Sequence, residues 1–135
     1  YASGTENSGL SCFVQGDRLV FDYNCFGDHH LVESTTELPV GRCELGVSFR
    51  REGKGATATL LVDGEAAGSV EVPFAMFIMS SIGPSVGHDH GSAVSDRYRA
   101  PFPFEGTLHR VDIQLAGAPT PEVAEAEQRA AMAQQ

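Results

Sequence analysis

The sequence predicts an all-β fold, an antiparallel two-sheet sandwich, and three observations carry that prediction. Apolar residues recur with a period of two in segment after segment. Two-residue turn signals separate those segments. No stretch before residue 117 shows a helical period, and a parallel sheet would need crossover helices.

Taken in order, LSCFVQ (10–15) and RLVFDYNC (18–25) are joined by Gly16-Asp17, a hairpin signal. In the second of these, Leu19, Phe21, Tyr23 and Cys25 share one face, and Arg18, Asp22 and Asn24 share the other. That pattern predicts a strand with one buried side. CELGVSF (43–49) repeats it, with Cys43, Leu45, Val47 and Phe49 inward; Pro39 and Gly41 punctuate the chain before it. After the GKG turn at 53–55 comes ATATLLVDGEAAGSVEV. Asp63-Gly64 there favours a type I′ turn, with Leu60 and Val62 expected to meet an arm ending in Val70 and Val72. AMFIM (75–79) reads as a strand buried on both faces, being too short for a helix. GTLHRVDIQL (106–115) is expected to close the sheet with Val111, Ile113 and Leu115 on one face. A bulge near His109-Arg110 is expected to turn Leu108 in and His109 out.

The tail differs in composition. Thr120 fits an N-cap, Pro121 the first helical position and Glu122 the positive helix end, so a short C-terminal helix is expected from about residue 121. The organisation is then a sandwich over residues 1–116 and an Ala/Glu-rich tail over 117–135.

Bulk composition bounds the partners. Nine basic residues face eighteen acidic ones, for a net charge of −9. Such a surface repels a phosphate backbone, so nucleic acid is not an expected partner. No apolar run approaches 18 residues, so no membrane span is expected. The first residues lack a basic region followed by an apolar one, and the chain does not begin with Met; it reads as part of something longer. Cys12, Cys25 and Cys43 are odd in number and lack C-x-x-C spacing. They read as small buried hydrophobes, which leans towards a reducing compartment such as the cytoplasm.

The segment VGHDHGSAVSDRYRAPFPFEGTLHRVDIQL (86–115) holds the residues that invite a chemical reading. His88 and His90 share a face if extended, and Asp96 can approach them. With Asp89 they make a candidate His/carboxylate metal set for calcium or zinc. Gly87 and Gly91 mark a bend, however, and Asp and Ser in such a bend bond nearby amides and shape the loop. Asp89, Ser95, Asp96 and Tyr98 are therefore expected to shape the loop, with no catalytic residue among them. A Ser95/His/Asp triad can be drawn, but no spacing singles it out. Pro101 and Pro103 fix φ and remove two donors, which keeps Phe102 and Phe104 extended. Those rings either cap the core or form a ridge that docks on a neighbouring domain. His29-His30, adjacent at the start of a strand, point to opposite faces and read as a solvated strand edge.

Four pieces in order, GDRLVFDYNCFG, VESTTELPVG, ATLLVDGEAAGSVEVP and the 86–115 segment, resemble the C-terminal region of bacterial arylsulfatases of the long type. The last is the most specific, through Gly87, Asp89, Gly91, Val94-Ser95, Tyr98, Pro101-Phe102 and Phe104 to Gly106. The resemblance implies a jelly-roll, concanavalin A-like sandwich. It also implies that catalysis belongs to an upstream α/β domain, where a Cys or Ser in C/S-x-P-x-R becomes formylglycine beside a calcium ion. Cys12, Cys25 and Cys43 all lack Pro two positions on. This chain is then expected to be a non-catalytic accessory module of a sulfuric ester hydrolase, without cofactor of its own, packed on the catalytic domain. A lectin-like carbohydrate-binding module is the alternative. The opening YASGTENSGLSCFVQ is similar to the second half of a family segment whose first strand lies upstream. That predicts an exposed sheet edge able to pair with a second copy. His88 and His90 depart from the family pattern, which has Arg and a small polar residue there.

Overall fold

The computed structural model describes residues 1–75 and 83–115, together with Arg129 and Met132. Its architecture is all-β and antiparallel, in two sheets. One sheet holds β1 (Ala2–Thr5), β2 (Ser8–Gln15), β3 (Arg18–Cys25) and β4 (Asp28–Glu33), in that order. The other holds β5 (Leu45–Glu52), β6 (Gly55–Val62) and β7 (Glu65–Val72), again in order. The two sheets form a β-sandwich. Within each sheet, neighbours in sequence are neighbours in space, because each strand returns through a tight turn; residues 34–44 carry the chain from β4 in one sheet to β5 in the other.

The turns follow from their residues. Gln15 pairs with Arg18 across Gly16-Asp17, as the hairpin signal predicts. At Asp63-Gly64 both residues have positive φ, 50° and 80°, which is the geometry a type I′ turn demands. Phe26-Gly27 does the same between β3 and β4, with φ of 51° and 86°. Past Asp63-Gly64 the register shifts by one residue. The arm of Leu60 and Val62 meets the arm that ends in Val70 and Val72, as expected, and the shift sets Val70 and Val72 opposite Ala58 and Ala56. Gly68, at φ 130°, accommodates the irregularity. It also lets β7 approach β4: a Cβ there would lie 3.1 Å from the Glu33 carbonyl oxygen.

Between the sheets lies the core. Leu19, Phe21 and Tyr23 of β3 pack against Ala56, Ala58, Leu60, Ala67 and Val72 of the facing sheet. Phe49 from β5 stacks on Tyr23 at 5.6 Å between centroids and tilts against Phe21 at 6.2 Å. Small alanines on β6 make room for the aromatic rings of β3. Leu10, Cys12, Val14, Leu45, Val47 and Val62 extend the core at its margins.

Three expectations change. First, β3 buries both faces: Val20, Asp22 and Asn24 are as inaccessible as Leu19, Phe21 and Tyr23. The polar side is covered by the loop that begins at Ser85. Second, residues 107–115 form no strand. Leu108, Val111, Ile113 and Leu115 are exposed, Ile113 at 66% and Leu115 at 87%, and His109 is exposed too, so neither side of a bulge is realised. Alternation alone makes no strand; it needs an open edge to pair with, and among the described residues these positions have none. Third, the cysteines are half-buried and none is in a disulfide, and Cys43 lies ahead of β5, outside the sheet. The AMFIM segment from Met76 on lies outside the described residues. So does most of the tail, where Arg129 and Met132 are helical.

Cys12 packs on the core beside Phe21, and burial pushes its thiol up from 9.0 to about 11. The thiol of the unfolded chain ionises first as pH rises. The resulting stability is complete below pH 9.0 and is lost as pH climbs towards about 11. We expect a loss on the order of 2 kcal/mol across that window. Urea unfolding of the wild type and of Cys12→Val at pH 8 and pH 11 measures it; a variant with the same slope would contradict the assignment.

Candidate functional site

The outer face of the four-stranded sheet carries Gly9, Ser11 and Phe13 from β2, Val20, Asp22 and Asn24 from β3, and His29 and Leu31 from β4. The loop from Ser85 to Tyr98 crosses all four strands and is tied to each. At β1, Ser85 exchanges two backbone hydrogen bonds with Ala2, at 3.0 and 2.8 Å. Over β2, the Tyr98 hydroxyl lies 2.8 Å from Ser11 Oγ, and Gln15 donates to the Arg97 carbonyl at 2.8 Å. Over β3, Asn24 donates to the Val94 carbonyl at 3.0 Å, and Ser95 donates to Asp22 Oδ2 at 2.6 Å. At β4, Arg97 pairs with Glu33 at 2.6 Å. Gly9 is required beneath the loop: a Cβ there would sit 3.1 Å from Val94 and 2.4 Å from the Ser3 carbonyl oxygen.

Asp89 is the internal pin of this loop. Its buried Oδ2 accepts the Tyr98 hydroxyl at 2.6 Å and the Val94 amide at 3.0 Å. Burial first, then the Asp89 hydrogen bond and charge, raise the Tyr98 phenol well above its ordinary range, against a smaller opposing effect of Ser11. The phenol thus stays a donor at every ordinary pH. Tyr98 stacks on Phe102 at 4.6 Å, and Phe13 meets both rings edge-on, at 4.8 and 5.8 Å. Phe102 therefore packs on the outside of the sheet and takes no part in the inter-sheet core. Phe104 is 41% exposed. The two rings do not share one buried side: Phe102 takes a positive φ of 39°, which breaks the extended run expected from the prolines.

Asp22 is the second buried carboxylate. Its Oδ2 receives Ser95 Oγ at 2.6 Å and His29 Nδ1 at 2.8 Å. Serine and imidazole thus share one acceptor. A nucleophile–base pair would need the hydroxyl to donate to the imidazole itself, so this is no hydrolytic triad. His29 Nε2 points towards Asp96, whose Oδ2 lies 3.9 Å away. His29 is thereby half-buried, where the dipeptide pattern predicted a solvated edge; His30 lies on the opposite face, 3.5 Å from Asp28.

The structure sorts the sequence candidates accordingly. Asp89 and Ser95 are buried hydrogen-bond acceptors and donors inside the loop. His90 bonds Ser85 through both its amide and its Nδ1. His88 is exposed, its ring 5.8 Å from that of His90. Asp96 leaves this pair for His29. The grouping it joins, Asp22, His29 and Asp96, places one donor atom from each within 4.8 Å of the others.

The signal for the Asp22–His29 half of that grouping was in the sequence. A two-residue turn at Phe26-Gly27 puts His29 opposite Asn24 and diagonal to Asp22 on the same face. A shallow polar depression lined by Ser48, Arg50, Thr57 and Thr59 lies on the other sheet, away from these groups. No known family model, curated protein or solved structure matches this chain.

Proposed function

We propose that this chain is the non-catalytic C-terminal sandwich module of an arylsulfatase, of jelly-roll, concanavalin A-like type, packed on an upstream catalytic domain. The observation that carries this reading is the exposed row Val111, Ile113 and Leu115. Three large apolar side chains left exposed close together in sequence are surface that water disfavours and a neighbouring domain would cover. The polar cluster supports the same reading from the other side. Asp89, Ser95 and Tyr98 are engaged with the sheet and with one another, which leaves them to position the loop. Sulfate-ester hydrolysis then belongs to the formylglycine and calcium of the upstream domain. The module contributes a rigid wall, and at −9 net charge it does not gather sulfated polymers by itself.

Two measurements test it. The isolated chain, incubated with an aryl sulfate, should show no turnover; measurable hydrolysis would overturn the non-catalytic role. Amide hydrogen exchange at residues 107–115 should be fast in the isolated chain and slow in the full-length protein. Equal, fast exchange in both would remove the docking role.

A further inference from the structure

Asp22, His29 and Asp96 have a property that loop-building does not need. Asp22 Oδ2 has two donors, but Oδ1 of the same fully buried carboxylate has none. A buried carboxylate oxygen without a donor is costly and calls for a positively charged partner. His29 Nδ1 lies 2.8 Å from Asp22 Oδ2 and its Nε2 faces Asp96 Oδ2 at 3.9 Å, so an ion shared with Asp22 would take the place of the proton between Nδ1 and that carboxylate. Two carboxylates thus face this one imidazole. Arg97, the cation this loop brings to the face, is already paired with Glu33 and bonded to Gln15.

We propose that Asp22, His29 and Asp96 bind a single divalent transition-metal ion of the manganese and zinc class. One imidazole nitrogen and two carboxylates form a mixed donor set, which suits such ions better than the all-oxygen preference of calcium or magnesium. The ion enters from the solvent side, where the Asp96 side chain is 72% exposed and free to rotate, and Asp22 forms the floor. Donor atoms within 4.8 Å of one another close on an ion through a modest rotation of Asp96. His88 and His90 take no part. The site is independent of whether the chain docks on another domain.

Mn2+ is the probe, since it passes over the three cysteine thiols and relaxes nearby nuclei. Titrated into the full chain, one equivalent should broaden the His29 imidazole resonances first. Zn2+ should compete for it and restore them. Asp96→Asn, a surface change, and His29→Gln should each weaken Mn2+ binding by roughly tenfold or more, the size of effect that even outer-shell partners produce. His88→Ala/His90→Ala should leave it unchanged. Broadening centred on His88 and His90, or spread over the acidic surface, would overturn the site. So would an affinity indifferent to Asp96→Asn, or a crystal grown with Mn2+ in which a water alone satisfies Asp22 Oδ1.

Discussion

Replacing Asp89 with Ala should lower the unfolding free energy by about 3–5 kcal/mol, while Asp89→Asn should lose roughly half as much. The argument starts from one atom. Asp89 Oδ2 takes both the Tyr98 hydroxyl and the Val94 amide, at 2.6 and 3.0 Å. Val94 is wholly buried, so its amide has no water to turn to when the carboxylate is removed. Tyr98 keeps Ser11, 2.8 Å away, and so is only half orphaned. Hydrogen bonds to a charged group are worth about 1.5–3 kcal/mol each, and two of them set the scale. Asparagine offers a carbonyl oxygen in the same place but without the charge, hence the partial loss. Urea midpoints of the three proteins measure it. The consequence is wider than stability, because Tyr98 supports Phe102 and Phe13. Without the pin, that aromatic cluster should loosen and the near-ultraviolet circular dichroism of tyrosine should fall. A loss below about 1 kcal/mol would mean that the loop is held chiefly by its ties to the strands.

Particular residues show how much of this was legible in the sequence. Leu19, Phe21 and Tyr23 announced an inward face, and Asp63-Gly64 announced a type I′ turn, because period and turn chemistry are local properties. Asp22 and Asn24 were legible only as the other side of that strand. What covers them begins about sixty residues later at Ser85, and no local pattern encodes a cover that distant. Asp89 and Ser95 were legible as loop-formers since Asp and Ser bond nearby amides. Ser95 does accept the Arg97 amide, but that its hydroxyl would also reach Asp22 depends on where the loop lies over β3, which no local pattern encodes. Leu108 to Leu115 misled for the opposite reason. Their alternation is a real β signal, but a strand is a relation between two segments and one segment carries only half of it.

The face thus built joins two buried carboxylates with different tasks. Asp89 holds the loop to itself, and Asp22 holds the loop to the sheet. Asp89 Oδ2 takes the Tyr98 hydroxyl and Asp22 Oδ2 takes that of Ser95, a residue that a catalytic reading would have chosen as reactive. The buried position of Asp89, Asp22 and Ser95 makes these bonds stronger than they would be in water.

Taking both donors from Asp22 should be the more damaging change, and neutralising Asp22 should then repair it. Ser95→Ala should cost about 1.5–3 kcal/mol, one hydrogen bond to a charged acceptor. Ser95→Ala with His29→Phe should cost about 3–5 kcal/mol, because it leaves an anion buried at 0% exposure without a donor. Asp22→Asn should destabilise the wild type, where it presents an amide to groups arranged for a carboxylate. In the donorless double variant the same substitution should be stabilising, since a neutral amide is far less costly to bury than a charge. That reversal of sign is the diagnostic. It is read from urea unfolding with a chelator present, so that no bound ion contributes, and from the three variants compared in one buffer. If Asp22→Asn destabilises both backgrounds equally, Asp22 is not held as an anion by Ser95 and His29, and its burial must be offset by some other group.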